Sequence, residues 1–166
     1  MKTLYIIRHA KSDWDQGLAD FERPLNARGL RNAPFMGKLL RDRGVKFDLV
    51  ISSPARRALH TARFICSELG YPLDAIWQEA AIYEATTGVL QQLVLGLPAQ
   101  HDTIALFGHN PGLTRLANLL AGTLQLDNLP TCGMVVLQFD VADWQYAETG
   151  TGRVLLVDYP RKHAAE

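Results

Sequence analysis

The sequence predicts a three-layer α/β sandwich over a mainly parallel sheet, with room for antiparallel edge strands at its closing end. Two observations predict it. Short β-branched, apolar runs at Thr3–Ile7, Asp48–Ser52 and Thr103–Phe107 have the length and composition of buried strands. Each is followed by a segment whose apolar residues recur at helical spacing, the alternation that builds parallel sheets.

Taken in order, Thr3-Leu-Tyr-Ile-Ile7 is the first strand and runs straight into Arg8. Between about Asn26 and Arg43, Leu30, Ala33, Gly37 and Leu40 fall on one helical face, and Gly44 is a natural stop. Pro34 interrupts that pattern, so the helix either kinks there or begins late with Asn32 as its cap. Asp48–Ser52 is the second strand. Ala58, Ala62, Ile65 and Leu69 trace a helix ending at Gly70, and after a loop through Glu84 a shorter helix covers about Val89 to Leu95. Thr103–Phe107 is the third strand, and Leu113 to Leu120 form a helix with Pro111 near its first turn. The remainder, with Met134–Phe139 and Val154–Val157, reads as strands and turns.

Bulk properties narrow the function classes. The 166 residues fit one domain, 1–166, large enough for its own core. Lys plus Arg and Asp plus Glu both number 17, so no global field favours nucleic acid or an anionic membrane, and an anion site must be local. Cys66 and Cys132 form no CxxC pair and read as small buried apolar residues. Met1–Ile7 is too short an apolar run for a signal peptide, and no stretch approaches the roughly 20 apolar residues of a membrane helix. The expectation is a cytoplasmic protein without nucleic-acid or membrane partners; the sequence leaves its oligomeric state open.

The chemistry gathers directly after the three strands, in Arg8-His9-Ala10-Lys11-Ser12, Ser52-Ser53-Pro54-Ala55-Arg56-Arg57 and Gly108-His109-Asn110-Pro111-Gly112. Ligands of open α/β sheets bind at the carboxyl ends of parallel strands, so these clusters should converge. Such a set suits a phosphoryl group. Guanidinium forks grip phosphate oxygens, a neutral imidazole attacks phosphorus, and a second imidazole steadies the charge that develops. The helix start after the third cluster adds backbone N–H donors. This chemistry requires no metal and no cofactor, and the histidines show neither HxH nor HExxH spacing.

The same residues carry a family likeness. Arg8-His-Ala-Lys-Ser12 resembles the Arg-His-Gly signature of the histidine phosphatase superfamily, which includes the phosphoglycerate mutases. Ser53-Pro-Ala-Arg-Arg-Ala-Leu-His-Thr-Ala62 resembles its second motif and Gly108-His109-Asn110 its third, in the family's order from about Thr3 to Leu120. The short length resembles the SixA-type phosphohistidine phosphatase branch. The resemblance implies that His9 is the phosphorylated nucleophile, that Arg8, Arg57 and His109 bind phosphate, and that Arg57 rather than Arg56 is the second-motif arginine. It also implies substrate contacts from Ser12, Lys11 and Arg23. Ala10 replaces the usual glycine, as often in the short branch, and Asp15 stands where mutase-like members carry asparagine.

Glu84 sits where larger members hold a proton-donating acid, which a phosphate ester needs more than a phosphohistidine does. Glu84 thus points toward an oxygen ester, whereas the SixA-type likeness implies a protein phosphohistidine; the latter is the expected substrate, with a small phosphorylated metabolite as the alternative and Glu84 as its proton donor. The rival from another class is a phosphate-binding module without turnover, against which the retained His9 and arginines speak. His60 reads as a structural helix residue, and the basic tail Arg161-Lys162-His163 carries no assigned role.

Overall fold

The computed structural model describes residues 1–14 and 17–163; Asp15, and with it the expectation attached to that position, lies outside the described residues. Six strands form one sheet: β1 (Lys2–Arg8), β2 (Leu49–Ser52), β3 (Trp77–Gln78), β4 (Thr103–Gly108), β5 (Met134–Phe139) and β6 (Arg153–Asp158), in the order β3-β2-β4-β1-β5-β6. The pairs β3–β2, β2–β4 and β4–β1 are parallel, while β1–β5 and β5–β6 are antiparallel. The mainly parallel sheet with antiparallel strands at its closing end is as the sequence predicts.

Four helices cover it: α1 (Ala27–Asp42), α2 (Arg56–Leu69), α3 (Thr87–Leu95) and α4 (Gly112–Ala121). Strand periodicity of two divides the core between the faces. Leu4 and Ile6 of β1, with Ile104 and Leu106 of β4, pack toward Leu90, Leu113 and Leu116 of α3 and α4. Ile7, Ala105 and Phe107 face Ala33, Met36, Ala62 and Ile65 of α1 and α2. The connection through α3 returns the chain from the β3 edge to β4 at the sheet's middle, so right-handed crossovers place it opposite α1 and α2.

Two details of α1 differ from expectation. Its cap is Asn26, whose side chain accepts the Gly29 N–H, and the helix passes through Pro34 without starting afresh at Asn32. Residues on both sides of Pro34, from Gly29 to Leu40, are buried, and that tertiary packing outweighs the one backbone hydrogen bond proline removes. Leu30 is on the outer side at 43% exposure; Met36 and Gly29 complete the buried stripe instead. Gly29 is required by close approach, since a Cβ there would collide with the Lys11 carbonyl oxygen. This contact, with the Asn26 N–H donating to the same carbonyl at 2.9 Å, presses the start of α1 against the segment after β1. Helix α2 begins at Arg56, a little before the Ala58 at which its apolar pattern starts. Cys66 and Cys132 are free and buried, and no described helix is long and apolar enough to cross a membrane.

Candidate active site

The three strand ends lie side by side. In the parallel ladders Arg8 pairs with Gly108 and Ser52 with Phe107, so His9, Ser53 and His109 emerge together at the carboxyl edge. The rings of His9 and His109 stand 5.3 Å apart. Around them a small cavity of about 140 Å³ is lined by Arg8, Lys11, Ser12, Arg23 and Arg57 as well as both histidines. Thus seven of the expected site residues converge. The eighth, Glu84, is exposed and lines an adjoining outer cavity of about 890 Å³, which shares Arg57 and His109 with the inner one.

His9 is held from several sides. Its N–H donates to the Gly108 carbonyl at 3.1 Å, its own carbonyl accepts the Cys132 N–H at 2.9 Å, and the next N–H, of Ala10, donates to Thr61 Oγ1 at 2.9 Å. Its ring Nδ1 lies 2.7 Å from the Ala10 carbonyl oxygen. A carbonyl can only accept, so Nδ1 carries the proton and the lone pair is left on Nε2. Burial lowers the His9 pKa to about 3 against the opposing pull of the Ala10 carbonyl, helped by the neighbouring His109, Arg57 and Arg8. The imidazole is neutral at physiological pH.

His109 is lowered to about 4, by burial first and then by Arg57. Its Nε2 lies 2.7 Å from Ser53 Oγ, which already accepts the Ala55 N–H. The other ring nitrogen, Nδ1, is buried and has no partner. Arg8 Nε and Arg57 Nε are likewise buried and unpartnered. Among the described residues these three are the buried side-chain polar atoms without a partner, and all three belong to residues lining the inner cavity. Unsatisfied buried guanidinium donors gathered around one cavity mark a place for an anion. Arg8 is also lowered below its ordinary pKa, by burial and by Arg57, a strain between like charges that an anion would relieve.

Arg57 is 5% exposed and lines the inner cavity, whereas Arg56 is exposed. Sequence reasoning missed what holds Arg57. Asp20 accepts Arg57 Nη2 at 3.0 Å and Arg23 Nε at 2.9 Å on its carboxylate, and its backbone carbonyl accepts Arg57 Nη1 at 2.7 Å. Tyr83 donates its hydroxyl to the same carboxylate at 2.6 Å. Burial alone would raise the Asp20 pKa, but these hydrogen bonds win and hold it at about 2. Arg23 also donates to Ser12 Oγ at 2.9 Å and stacks on the Trp14 ring, 3.7 Å from its centroid. Asn110 was likewise missed as a separate actor. Its Oδ1 accepts the Thr114 N–H at the start of α4, and its Nδ2 donates to the Leu129 carbonyl, which also accepts Arg8 Nη1. The helix-capping duty in Gly-His-Asn thus falls to Asn110, leaving the His109 ring to the cavity.

Among the described residues no three His, Cys, Asp or Glu side chains group as a metal site. A mainly parallel α/β sheet with paired neutral imidazoles and unpaired cationic donors at its carboxyl edge is a frame suited to binding a phosphoryl group. Residues 4–103 match the histidine phosphatase superfamily (branch 1), and the chain belongs to that family. The uncharacterized protein Rv1276c of Mycobacterium tuberculosis is 30% identical over 164 residues, covering 93% of this chain and all (100%) of that protein. Among solved structures, the protein histidine phosphatase SixA complexed with tungstate superposes with a TM-score of 0.84 at 19% identity, over 97% of this chain and 99% of that one. A mycobacterial glucosyl-3-phosphoglycerate phosphatase, Rv2419c, complexed with VO3, superposes with a TM-score of 0.73 at 17% identity, over 96% and 100%. The fold is theirs, and the chain is a phosphatase.

Proposed function

We propose that the chain, acting as one domain, is a metal-independent protein phosphohistidine phosphatase with His9 as its nucleophile. The observation that carries this reading is the His9 tautomer. With Nδ1–H committed to the Ala10 carbonyl, the Nε2 lone pair is the one that can attack phosphorus. In the first step Nε2 forms a bond to phosphorus, and the bond to the leaving nitrogen breaks with its electron pair. Arg8, Arg57 and His109 stabilise the charge spread over the phosphoryl oxygens, and Ser12, Lys11 and Arg23 steady the bound group. In the second step water adds to phosphorus, the Nε2–P bond breaks, and His9 is restored with release of phosphate.

The substrate reading rests on where carboxylic acids stand. Among the described residues none lines the inner cavity, and Asp20, beside it, is held ionised by Tyr83 and two arginines. A site without a close proton donor suits a leaving imidazole, which departs neutral when already protonated, better than an alkoxide. The SixA likeness, a protein histidine phosphatase by name, agrees with this. A second reading has its own observation. Glu84 lines the outer cavity together with Arg57 and His109, and its backbone sits in the left-handed region at φ 56°, a conformation non-glycine residues adopt at a cost. With Glu84 as proton donor, the substrate would be a small phosphate ester of the kind named for the glucosyl-3-phosphoglycerate phosphatase.

The test is a parallel assay, in chelator, of a phosphohistidine-bearing protein and p-nitrophenyl phosphate, with His9→Ala as control. Turnover of the phosphohistidine protein with little ester hydrolysis is expected. Ester hydrolysis outpacing it would install the second reading, and loss of all activity in chelator would overturn metal independence.

A further inference from the structure

A third cavity, of about 650 Å³, adjoins the phosphoryl pocket and is lined by Val157, Tyr159 and Arg161 from the β6 end of the sheet, away from the β3 end that carries Glu84. It shares Arg8, Lys11 and Thr131 with the inner cavity and no lining residue with the outer cavity that holds Glu84. The phosphoryl pocket therefore lies between two larger recesses. Their charges differ. The outer recess mixes Asp20 and Glu84 with Arg57 and Arg115. The third is lined by Arg8, Lys11, Arg28 and Arg161, and among the described residues no carboxylate lines it.

In a chain with equal numbers of acidic and basic residues, four cations with no carboxylate among the described lining residues are not an average surface. Among the described residues, Lys11, Arg28 and Arg161 form no salt bridge. They come from three separate places: the segment after β1, the first turn of α1 and the short 3-10 helix Pro160–His163. The polar groups of Asn128 and Thr131 lie in the same groove and can hydrogen-bond a carboxylate or a peptide group.

The geometry points to a substrate-docking groove that receives acidic side chains of a polypeptide flanking the phosphorylated residue. A small ester fills the phosphoryl pocket and one recess. An occupant that reaches both recesses must continue on either side of its phosphorylated group, as a protein chain does. The groove's cations select carboxylates on one of those sides. The inference rests on the protein-substrate reading above, and its test separates the two.

Arg28 and Arg161 lie outside the phosphoryl pocket, so Arg28→Glu with Arg161→Glu changes the groove and leaves the chemistry in place. Three substrates are compared at low ionic strength: a phosphohistidine peptide flanked by glutamates, the same peptide flanked by alanines, and p-nitrophenyl phosphate. Glutamates are placed on either side in separate peptides. The wild type should favour one glutamate peptide in kcat/KM by about ten-fold, the size expected of two or three partly exposed ion pairs. The double variant should lose that preference, and so should the wild type in molar salt. Rates on the alanine peptide and on p-nitrophenyl phosphate should not change. Equal rates on the glutamate and alanine peptides, or a preference that survives the double substitution, overturns the groove.

Binding of the unphosphorylated glutamate peptide, followed by fluorescence anisotropy, gives a readout that needs no turnover. Charge-dependent binding lost in the double variant supports the groove even if no phosphohistidine peptide is cleaved, in which case the phosphohistidine reading alone fails. A small carboxylated phosphate ester that gains the same arginine-dependent advantage would overturn the polypeptide as occupant.

Discussion

Asp20 grips Arg57 at two points, its backbone carbonyl on Nη1 at 2.7 Å and its carboxylate on Nη2 at 3.0 Å, and so fixes the plane of a guanidinium whose Nε remains unpaired beside His109. The same carboxylate holds Arg23 and Tyr83, which makes it the hub of the cationic wall.

Asp20→Asn keeps the shape and removes the charge. Arg57 and Arg23 should lose their fixed aim, and kcat/KM should fall by about 10- to 100-fold while the protein stays folded. The pH dependence gives a second readout. The folded-state pKa lies at about 2, below the ordinary 3.8, so Asp20 contributes stability that is present above pH 3.8 and lost as pH falls toward 2. Urea unfolding between pH 5 and about pH 2 should show a slope that Asp20→Asn reduces. An unchanged slope would mean that the ion pairs do not persist in solution.

The histidines act on stability in the opposite chemical sense but the same pH direction. His9 at about 3 and His109 at about 4 are both held below the ordinary 6.5 because burial favours the neutral ring. Between pH 6.5 and these values the unfolded chain binds protons that the folded one refuses, so stability falls as pH drops through that window. His9→Gln should flatten part of this loss in urea titrations. For the same reason, the acid limb of kcat/KM should show no imidazole titration near pH 6.5; a clear inflection there would contradict a neutral buried nucleophile.

Adjacent arginines give an internal control. Arg57→Ala removes a buried guanidinium from the inner cavity and should lower kcat by about 100- to 1,000-fold. Arg56→Ala, at an exposed position, should stay within about two-fold of wild type. Steady-state kinetics on the phosphohistidine protein checks this, and equal losses at both positions would dissociate Arg57 from the phosphoryl group.

Glu84→Gln discriminates between the substrates. Hydrolysis of the phosphohistidine protein should be nearly unchanged, whereas any residual ester hydrolysis should drop by about 100-fold through loss of a proton donor. A comparable fall on both substrates would assign Glu84 to the main reaction.

Gly29→Ala forces a methyl group against the Lys11 carbonyl. It should destabilise the fold by about 1–3 kcal/mol, measured by urea unfolding, and also impair phosphate binding because the segment Lys11–Ser12 must move. Wild-type stability would show that α1 can shift without cost.

Much of this was legible in the sequence because it rests on local pattern. Short β-branched, apolar runs mark three of the parallel strands, the polar clusters at their ends point to a phosphate site, and the family likeness singles out His9, Arg8, Arg57 and His109 within it. What escaped depends on distance along the chain. Asp20 meets Arg57 across 37 positions and Tyr83 across 63, and neither Asp20 nor Tyr83 lies in a periodic segment that would mark it. Leu30 was placed inward because helical spacing gives the width of a face but not which edge of it is covered. Pro34 allows either a kink or a late start at Asn32, and the buried Ala33, Met36 and Gly37 exclude the late start.

The backbone of His9 is tied to Gly108 on one neighbouring strand, to Cys132 at the entrance of another and, through Ala10, to Thr61 of α2. The proposed nucleophile is thus stitched into the sheet and already in place when the substrate arrives. Solvent viscosity should then slow this phosphatase only through encounter and release, and the bond-making step itself should be indifferent to it.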